Sequence, residues 1–175
     1  SSASSDPSGG AISRRIGMHA NTLKKTSENS ALATSMLGIA QGGLMRTHDI
    51  LARMLSLGVQ SRSGTISPTD RGFLNTVYQS LLTEVNNIAA QTSFNGIPLI
   101  NGTYNRNFQV GTRGTDRIAM NLTTVRSNSA GLNLTGTSLT TFATSTTAVT
   151  RLNTAVDRIG TYLSTIGGFM SRFEY

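Results

Sequence analysis

The stretch that decides the fold is residues 149–173, VTRLNTAVDRIGTYLSTIGGFMSRF. Its apolar side chains recur at alternating spacings of three and four residues, at Val149, Leu152, Val156, Ile159, Leu163, Ile166, Met170 and Phe173. This 3.5-residue repeat lays one apolar seam along a helix that supercoils with a partner. We expect the seam to form intramolecular core rather than a surface for a binding partner, because helices regularly bury such faces.

A longer periodic segment precedes this seam. No proline occurs between residues 8 and 61, and every seventh position from Ile16 to Leu51 is apolar except Ser30. Further apolar residues widen the stripe at Ile12, Met36, Ile39, Ile50, Met54, Leu55 and Leu57. The pattern predicts a helix over 8–61, on the order of 75 Å long at 1.5 Å per residue, that packs among several neighbours. Glycines at 38, 42 and 43 indicate a close helix contact or a local break.

A shorter helix is predicted over 67–91. Ser67 is a favourable N-cap, Pro68 suits the first helical position, and Asp70 lies three residues after the cap. Its apolar face is expected at Leu74, Val77, Leu81, Val85 and Ile88. The polar loop before it lets this helix fold back antiparallel on the first.

Beyond the second helix the periodicity becomes that of strands. Residues 108–110 and 117–122 alternate apolar and polar side chains around a turn-rich segment. The alternation predicts a β-hairpin within the region 94–125.

The remaining segments complete the predicted architecture. Residues 126–138, rich in Gly, Asn and Ser, are predicted to be a linker, and residues 139–175 are predicted to be the returning helix. The expected fold is mainly α with a small β region: a long antiparallel helical rod, coiled-coil-like, plus a β-hairpin. Because a chain of 175 residues is about the size of one domain, a single domain over 1–175 is expected.

Composition excludes several classes of function. The net charge is +7, from 15 Lys and Arg against 8 Asp and Glu, but the basic residues are scattered and do not alternate with aromatic ones. We therefore expect no nucleic-acid binding. No apolar run approaches the ~20 residues of a membrane span, so no membrane insertion is expected. With no cysteine there is no thiolate metal site and no thiol nucleophile.

No set of catalytic residues emerges from the sequence. His19 and His48 are too far apart along a helix to form a metal-binding pair, and the carboxylates are scattered. No nucleophile or phosphate-binding glycine motif is present. Because catalysis needs converging groups, we expect no enzymatic activity, no metal and no cofactor.

Four motifs occur in order along the chain: SSDPSGGAIS at 4–13, THDILARM at 47–54, EVNNIAAQTSFNG at 84–96 and FQVG at 108–111. Together they closely resemble the N-terminal half of bacterial flagellin. Residues 152–175, which end in MSRFEY, resemble the returning helix of that family. The resemblance covers nearly the whole chain except residues 127–147.

The resemblance implies the helical core domain of a flagellin. Members of the family insert outer surface domains between the hairpin region and the returning helix, whereas this chain has only a short polar connection there. They also carry further segments at both ends, which are disordered in the monomer and helical in the filament. We therefore expect a core-domain fragment that lacks both terminal segments and the outer domains.

The function that the resemblance implies is structural. The chain would be a subunit that polymerises into the bacterial flagellar filament for motility, secreted to the flagellum outside the cell. Its partners would be neighbouring copies, the flagellar export chaperone and the filament cap. One alternative is a secreted or cell-surface adhesin or receptor-binding module that uses the +7 charge to hold acidic polysaccharide. Another is the hook–filament junction protein, which normally lacks the Phe-Asn-Gly and Phe-Gln-Val-Gly pair.

The resemblance also indicates a candidate surface for the Toll-like flagellin receptor and for assembly. Recognised flagellins present an Arg-x-Arg-Glu-Leu run on the first helix and a Glu on the second. The aligned residues here are Arg53, Leu55, Ser56, Leu57 and Glu84. Leu55 and Ser56 replace the second Arg and the Glu of the run, so we expect weak recognition by the receptor.

Overall fold

The computed structural model describes residues 7–128 and 130–174. Within them the elements are α1 (Pro7–Ser61), α2 (Pro68–Gln91), β1 (Ser93–Phe94), β2 (Ile97–Pro98), β3 (Asn105–Gln109), β4 (Arg117–Asn121) and α3 (Phe142–Glu174). The predicted class, mainly α with a small β region, is confirmed. Residues 4–6 of the first motif, Ser129 of the predicted linker and Tyr175 of the predicted returning helix lie outside the described residues.

α1 and α3 lie antiparallel and form the rod. Near one end, the hydroxyl oxygens of Ser61 and Ser145 are hydrogen-bonded at 2.7 Å. Near the other, Leu23 of α1 and Phe173 of α3 line the same cavity. Between these ends the helices bury Ala33, Leu37, Ala40, Leu44 and Leu51 of α1 with Leu152, Ala155, Ile159 and Ile166 of α3.

Glycines allow other elements to approach α1 closely. A Cβ added at Gly43 would lie 2.7 Å from the Oγ1 of Thr92, and one added at Gly58 would lie 2.9 Å from a methyl group of α3. Gly38 and Gly42 instead face open space. α1 runs through Gly38, Gly42 and Gly43 without a break. Of these three glycines, only Gly43 marks a close contact, and the other two face solvent.

The apolar stripe of α1 is covered over only part of its length. The seam positions from Leu37 to Leu51 are buried, whereas Ile16 is 64% and Leu23 is 60% exposed. All side chains from 11 to 24 are exposed, because no element of 7–128 or 130–174 packs on them. In the described chain, the predicted packing of this helix among several neighbours therefore begins only at about Thr26.

α2 starts with the cap that the sequence predicts. The N–H of Asp70 donates to Ser67 Oγ at 3.1 Å, and the Ser67 hydroxyl donates to the Asp70 carboxylate at 2.6 Å. The helix lies antiparallel to α1, with the Arg71 Nε donating to the carbonyl of Ser61 at 2.7 Å.

The buried face of α2 overlaps the predicted one. Val85 and Ile88 are buried, and Leu74 and Leu81 are partly buried and pack against the core, whereas Val77 is 40% exposed. Tyr78, Leu82 and Ala89 are buried as well, because α2 contacts α1 on one side and the segment after the hairpins on the other.

The β region contains two hairpins rather than one. β1 and β2 pair antiparallel across the turn Asn95–Gly96, where both residues have positive φ, 49° and 75°. Asn-Gly is the preferred sequence for such a two-residue turn. β3 and β4 pair with Phe108 opposite Ile118, and Asp116 closes their turn by accepting from the N–H of Arg113 at 2.9 Å.

The predicted linker 126–138 is packed rather than extended. Its Leu132 and Leu134 are fully buried, and two hydrogen bonds join Asn86 of α2 to Ser127, each 3.0 Å long. These contacts hold the segment against α2. The segment was predicted as a linker from its polar composition, which conceals the few leucines that anchor it.

The returning helix starts later than predicted. α3 begins at Phe142 rather than at 139, and Thr141 caps it by accepting from the N–H of Thr144 at 3.1 Å. Leu139 stays outside the helix because its N–H donates to Asn75 Oδ1 of α2 at 2.9 Å.

Candidate interaction surfaces

The four candidate residues on α1 do not share one face. Arg53, Ser56 and Leu57 are spaced by three and four residues and so lie on the same side of the helix. Arg53 and Ser56 are exposed, and Leu57 is partly buried. Leu55 is two residues from Arg53 and lies on another side, where it packs against the core.

Glu84 lies across a groove between α1 and α2. The groove has a volume of about 320 Å³ and is lined by Arg46, Asp49, Ile50, Glu84, Ile88 and Gln91. Glu84 is exposed, and its carboxylate accepts a hydrogen bond from Asn87 Nδ2 at 3.3 Å. The structure therefore places Glu84 beside Arg46 and Asp49, and Arg53 is not among the residues that line this groove.

Sequence reasoning did not single out Arg46 and Asp49. Their signal is their spacing from Arg53, since residues 46, 49 and 53 recur at three and four positions on α1. Together with Glu84 they make a groove of mixed charge. Such a groove can bind a polar surface of a partner by hydrogen bonds and ion pairs.

Most basic side chains are available to a partner. Among residues 7–128 and 130–174 the ion pairs are Lys25 with Glu28, at 3.0 Å, and His48 with Asp49, at 3.6 Å. The second is an ion pair only when the imidazole is protonated. The arginines along the rod therefore keep their charge uncompensated by internal partners.

The seam of α3 lies inside the molecule. Its buried members are Val149, Leu152, Ile159, Ile166 and Phe173. Its partly buried members, Val156, Leu163 and Met170, pack against the same core. Phe173 contacts the ring of Phe108 edge to face, with 5.5 Å between ring centroids, so the end of α3 is tied to the β3–β4 hairpin.

Burial perturbs two tyrosines. Removal from water raises the pKa of Tyr78, and its hydrogen bond to Thr137 and the charge of Arg151 oppose this only in part. Burial likewise raises the pKa of Tyr104, against a smaller opposite effect of Arg106. Both phenols thus stay neutral to higher pH than a solvated tyrosine.

A further cavity of the molecule is apolar. It has a volume of about 170 Å³ and lies between α1, α3 and the end of β4, lined by Leu44, Ile100, Leu122, Tyr162 and Ile166 among others. In the described ranges, no group of three His, Cys, Asp or Glu residues is placed to hold a metal ion. No described helix is long and apolar enough to cross a membrane.

The fold and these surfaces define a rod-shaped, mainly helical protein whose candidate interaction sites lie on the faces of its helices. A family model described as the bacterial flagellin N-terminal helical region matches residues 1–105, which is more than half of the chain. The chain therefore belongs to the bacterial flagellin family.

Curated relatives and solved structures agree with this assignment. Flagellin C of Vibrio cholerae is 34% identical over 130 residues, which are 74% of this chain and 34% of that protein. Flagellin A of the same species is 36% identical over 128 residues, 73% of this chain and 34% of that protein. The chain thus spans about a third of the length of these relatives.

The crystal structure of Bacillus cereus flagellin shares the fold. It superposes with a TM-score of 0.76 at 28% identity and covers 85% of each chain. FliC from Burkholderia pseudomallei has a TM-score of 0.70 at 15% identity, covering 80% of this chain and 99% of that one, and shows a common fold alone. These matches favour a flagellin over the adhesin and over the hook–filament junction protein.

Proposed function

We propose that this chain is a structural subunit that polymerises into the bacterial flagellar filament and so serves motility. The observation that carries the proposal is the antiparallel pairing of α1 and α3 in a chain of the flagellin family. A rod of this kind presents different faces along and around its axis. Contacts between unlike faces of identical subunits propagate as a helical fibre instead of closing into a ring.

The proposed role needs no catalysis. Membership of a family of filament subunits supports a non-enzymatic function. The subunit would act outside the cell, in the filament. By family resemblance its other partners are the export chaperone and the filament cap.

Electron microscopy tests the proposal directly. The product of the full gene, purified and seeded with filament fragments, should elongate into filaments. Ile159→Asp, which places a carboxylate in the fully buried seam, should abolish elongation together with helical content. A well-folded product that never elongates under any seeding condition would contradict the proposal.

The candidate receptor surface, which comprises Arg53, Leu55, Ser56, Leu57 and Glu84, supports a second proposal, about immune recognition. We propose that the Toll-like flagellin receptor recognises this chain weakly. Ser56 is exposed beside Arg53, so the Glu found in recognised flagellins is missing from an accessible position. Leu55 stands where recognised flagellins have the second Arg, so the guanidinium of the recognised run is missing as well. Charges at an interface centre contribute ~2 kcal/mol or more to binding.

A reporter-cell assay tests recognition. We expect a weaker response than to a recognised flagellin at equal concentration, and a gain when Ser56→Glu is combined with Leu55→Arg. Ser35→Glu, which adds a carboxylate at another exposed position of α1, is the matched control and should give no gain. An equal response from the unmodified chain would contradict the proposal.

A further inference from the structure

A groove runs between α3 and the segment 130–138. It consists of two adjoining cavities with volumes of about 70 Å³ and about 120 Å³, and the side chain of Arg151 lines both. The first cavity is lined by Leu132, Asn133, Thr150, Arg151, Thr154 and Arg158. The second adds hydroxyl groups from both sides, among them Thr137 and Thr147. We call the whole the arginine groove.

The groove is cationic. Arg151 and Arg158 are seven residues apart, which places them two turns apart on one side of α3, about 10.5 Å along the axis. Among residues 7–128 and 130–174, no carboxylate lines either cavity, and the neighbouring Asp157 is exposed on a different side of the helix. Two half-buried guanidinium groups without a counter-ion are suited to a ligand that carries separated anionic groups.

The two arginines are held differently. Arg158 donates from Nη1 to the carbonyl of Gly131, which orients its guanidinium toward the segment across the groove. In the described part of the chain, Arg151 makes neither a hydrogen bond nor an ion pair. All of its N–H groups are therefore available to a ligand.

Three threonine hydroxyls on the α3 side of the groove can only accept further hydrogen bonds. Thr147, Thr150 and Thr154 each donate to the backbone carbonyl four residues earlier, at 3.3, 3.1 and 3.3 Å. Their oxygens keep free lone pairs that point away from the helix backbone. Asn133, held at a positive φ of 57° in the facing loop, adds an amide that both donates and accepts.

We propose that the arginine groove binds an acidic oligosaccharide. Carboxylate or sulfate groups on the sugar would pair with Arg151 and Arg158, while sugar hydroxyls would donate to the threonine oxygens. A fully ionised inorganic anion has no proton to donate to the threonine oxygens. It would therefore contact the two arginines and leave the threonine side of the groove unused. A nucleic acid is disfavoured because none of the described side chains that line the groove is aromatic and could stack on a base. This site is additional to polymerisation and does not depend on it.

The test is a titration of the 175-residue chain with an oligogalacturonate, followed by amide chemical shifts and by calorimetry. We expect shifts at Thr147, Thr150 and Thr154 and weak, saturable binding. Arg151→Gln with Arg158→Gln should weaken binding about tenfold. Arg113→Gln with Arg117→Gln removes the same charge from the exposed hairpin and should leave binding unchanged. A neutral malto-oligosaccharide should not bind.

Several outcomes would overturn the proposal. If the hairpin control Arg113→Gln with Arg117→Gln lost as much affinity for the oligogalacturonate, the binding would depend on net charge alone. If equimolar inorganic sulfate displaced the oligogalacturonate, the groove would be a simple anion site. Tighter binding of an oligouridylate through the same arginines would assign the groove to nucleic acid, and absence of binding would dismiss the site. If the double variant unfolds, Arg151→Gln alone decides, because Arg151 makes no hydrogen bond that holds the fold.

Discussion

Tyr78 shows how one side chain can hold a segment in place. The hydroxyl oxygens of Tyr78 and Thr137 are hydrogen-bonded at 2.6 Å, and the Thr137 hydroxyl donates to the carbonyl of Leu134 at 2.6 Å. Gln79 adds a bond from its amide to the Thr137 carbonyl at 2.8 Å. The segment after the hairpins is thereby docked on α2 through a buried phenol.

The buried phenol predicts a loss of stability in alkali. Because the pKa of Tyr78 is raised above its ordinary value of 10.0 in the folded state, the unfolded chain releases this proton at lower pH than the folded one. The contribution of the neutral Tyr78 phenol to the free energy of unfolding is therefore fully present below pH 10. It is lost as the pH rises through the raised pKa of Tyr78 in the folded state. Tyr78→Phe should lower stability by about 1 kcal/mol at neutral pH and flatten this alkaline slope.

Urea denaturation between neutral pH and pH 11 measures the effect. Tyr162→Phe changes a tyrosine that is only partly buried and serves as the control, with the alkaline slope retained. An unchanged slope in Tyr78→Phe would show that other groups govern the alkaline loss.

Two glycines of α1 should respond in opposite ways to alanine. A Cβ at Gly58 would lie 2.9 Å from Val149 Cγ2, so Gly58→Ala should force the long helices apart and destabilise by about 1–3 kcal/mol. At Gly42 a Cβ meets open space, so Gly42→Ala should stabilise by up to ~1 kcal/mol through helix propensity. Thermal melts of both variants measure the two changes in stability. Destabilisation by Gly42→Ala would contradict the finding that a side chain at position 42 faces open space.

At the scale of elements, α3 depends on its seam. Ile159 is fully buried against α1, and an unpaired carboxylate there has no partner to offset its desolvation. Ile159→Asp should therefore destabilise by at least ~3 kcal/mol. Ser164→Asp adds the same charge on the exposed side of the same helix and should change stability little. Circular dichroism melts give both values, and an unchanged melt of Ile159→Asp would place the seam in solvent.

The sequence predicts a helix boundary well where a local cap sets it, and less well where a contact with another element sets it. Ser67 and Asp70 predicted the start of α2 correctly because a cap acts within one turn. Thr141 caps α3 by the same mechanism, yet the sequence predicts a start at 139, because the polar connection ends at Ser138. The exclusion of Leu139 depends on Asn75 of α2, which no local pattern reveals.

At the scale of the whole molecule, we expect the exposed beginning of α1 to determine how strongly copies of this chain associate. Ile16 and Leu23 are open to solvent, but the same part of the helix carries Arg14, Arg15 and Lys24, which repel a second copy. We expect the 175-residue chain to sediment as a monomer that associates weakly at high concentration. Ile16→Ser with Leu23→Ser should abolish that association. Stable long polymers of this chain in sedimentation velocity would contradict the prediction.

The candidate receptor and assembly surface could be predicted only as a set of residues. Aligned motifs named Arg53, Leu55 and Glu84, but their spacing on two helices did not reveal how α2 sits on α1. The packing turns Leu55 toward the core and places Glu84 opposite Arg46. The arginine groove was equally hidden, because it forms between α3 and a segment far from it only in the folded chain.

What the sequence determined by itself is where the helices and turns lie, since caps, glycine turns and the 3.5-residue repeat act over a few neighbouring residues. What only the tertiary structure decided is which parts of those elements are covered. Ile16 and Leu44 occupy equivalent positions of one repeat, yet Leu44 is buried and Ile16 is open to water. The physical reason is that burial belongs to a pair of surfaces: a repeat specifies the face that one helix offers, and only the packed chain specifies whether another element lies against it.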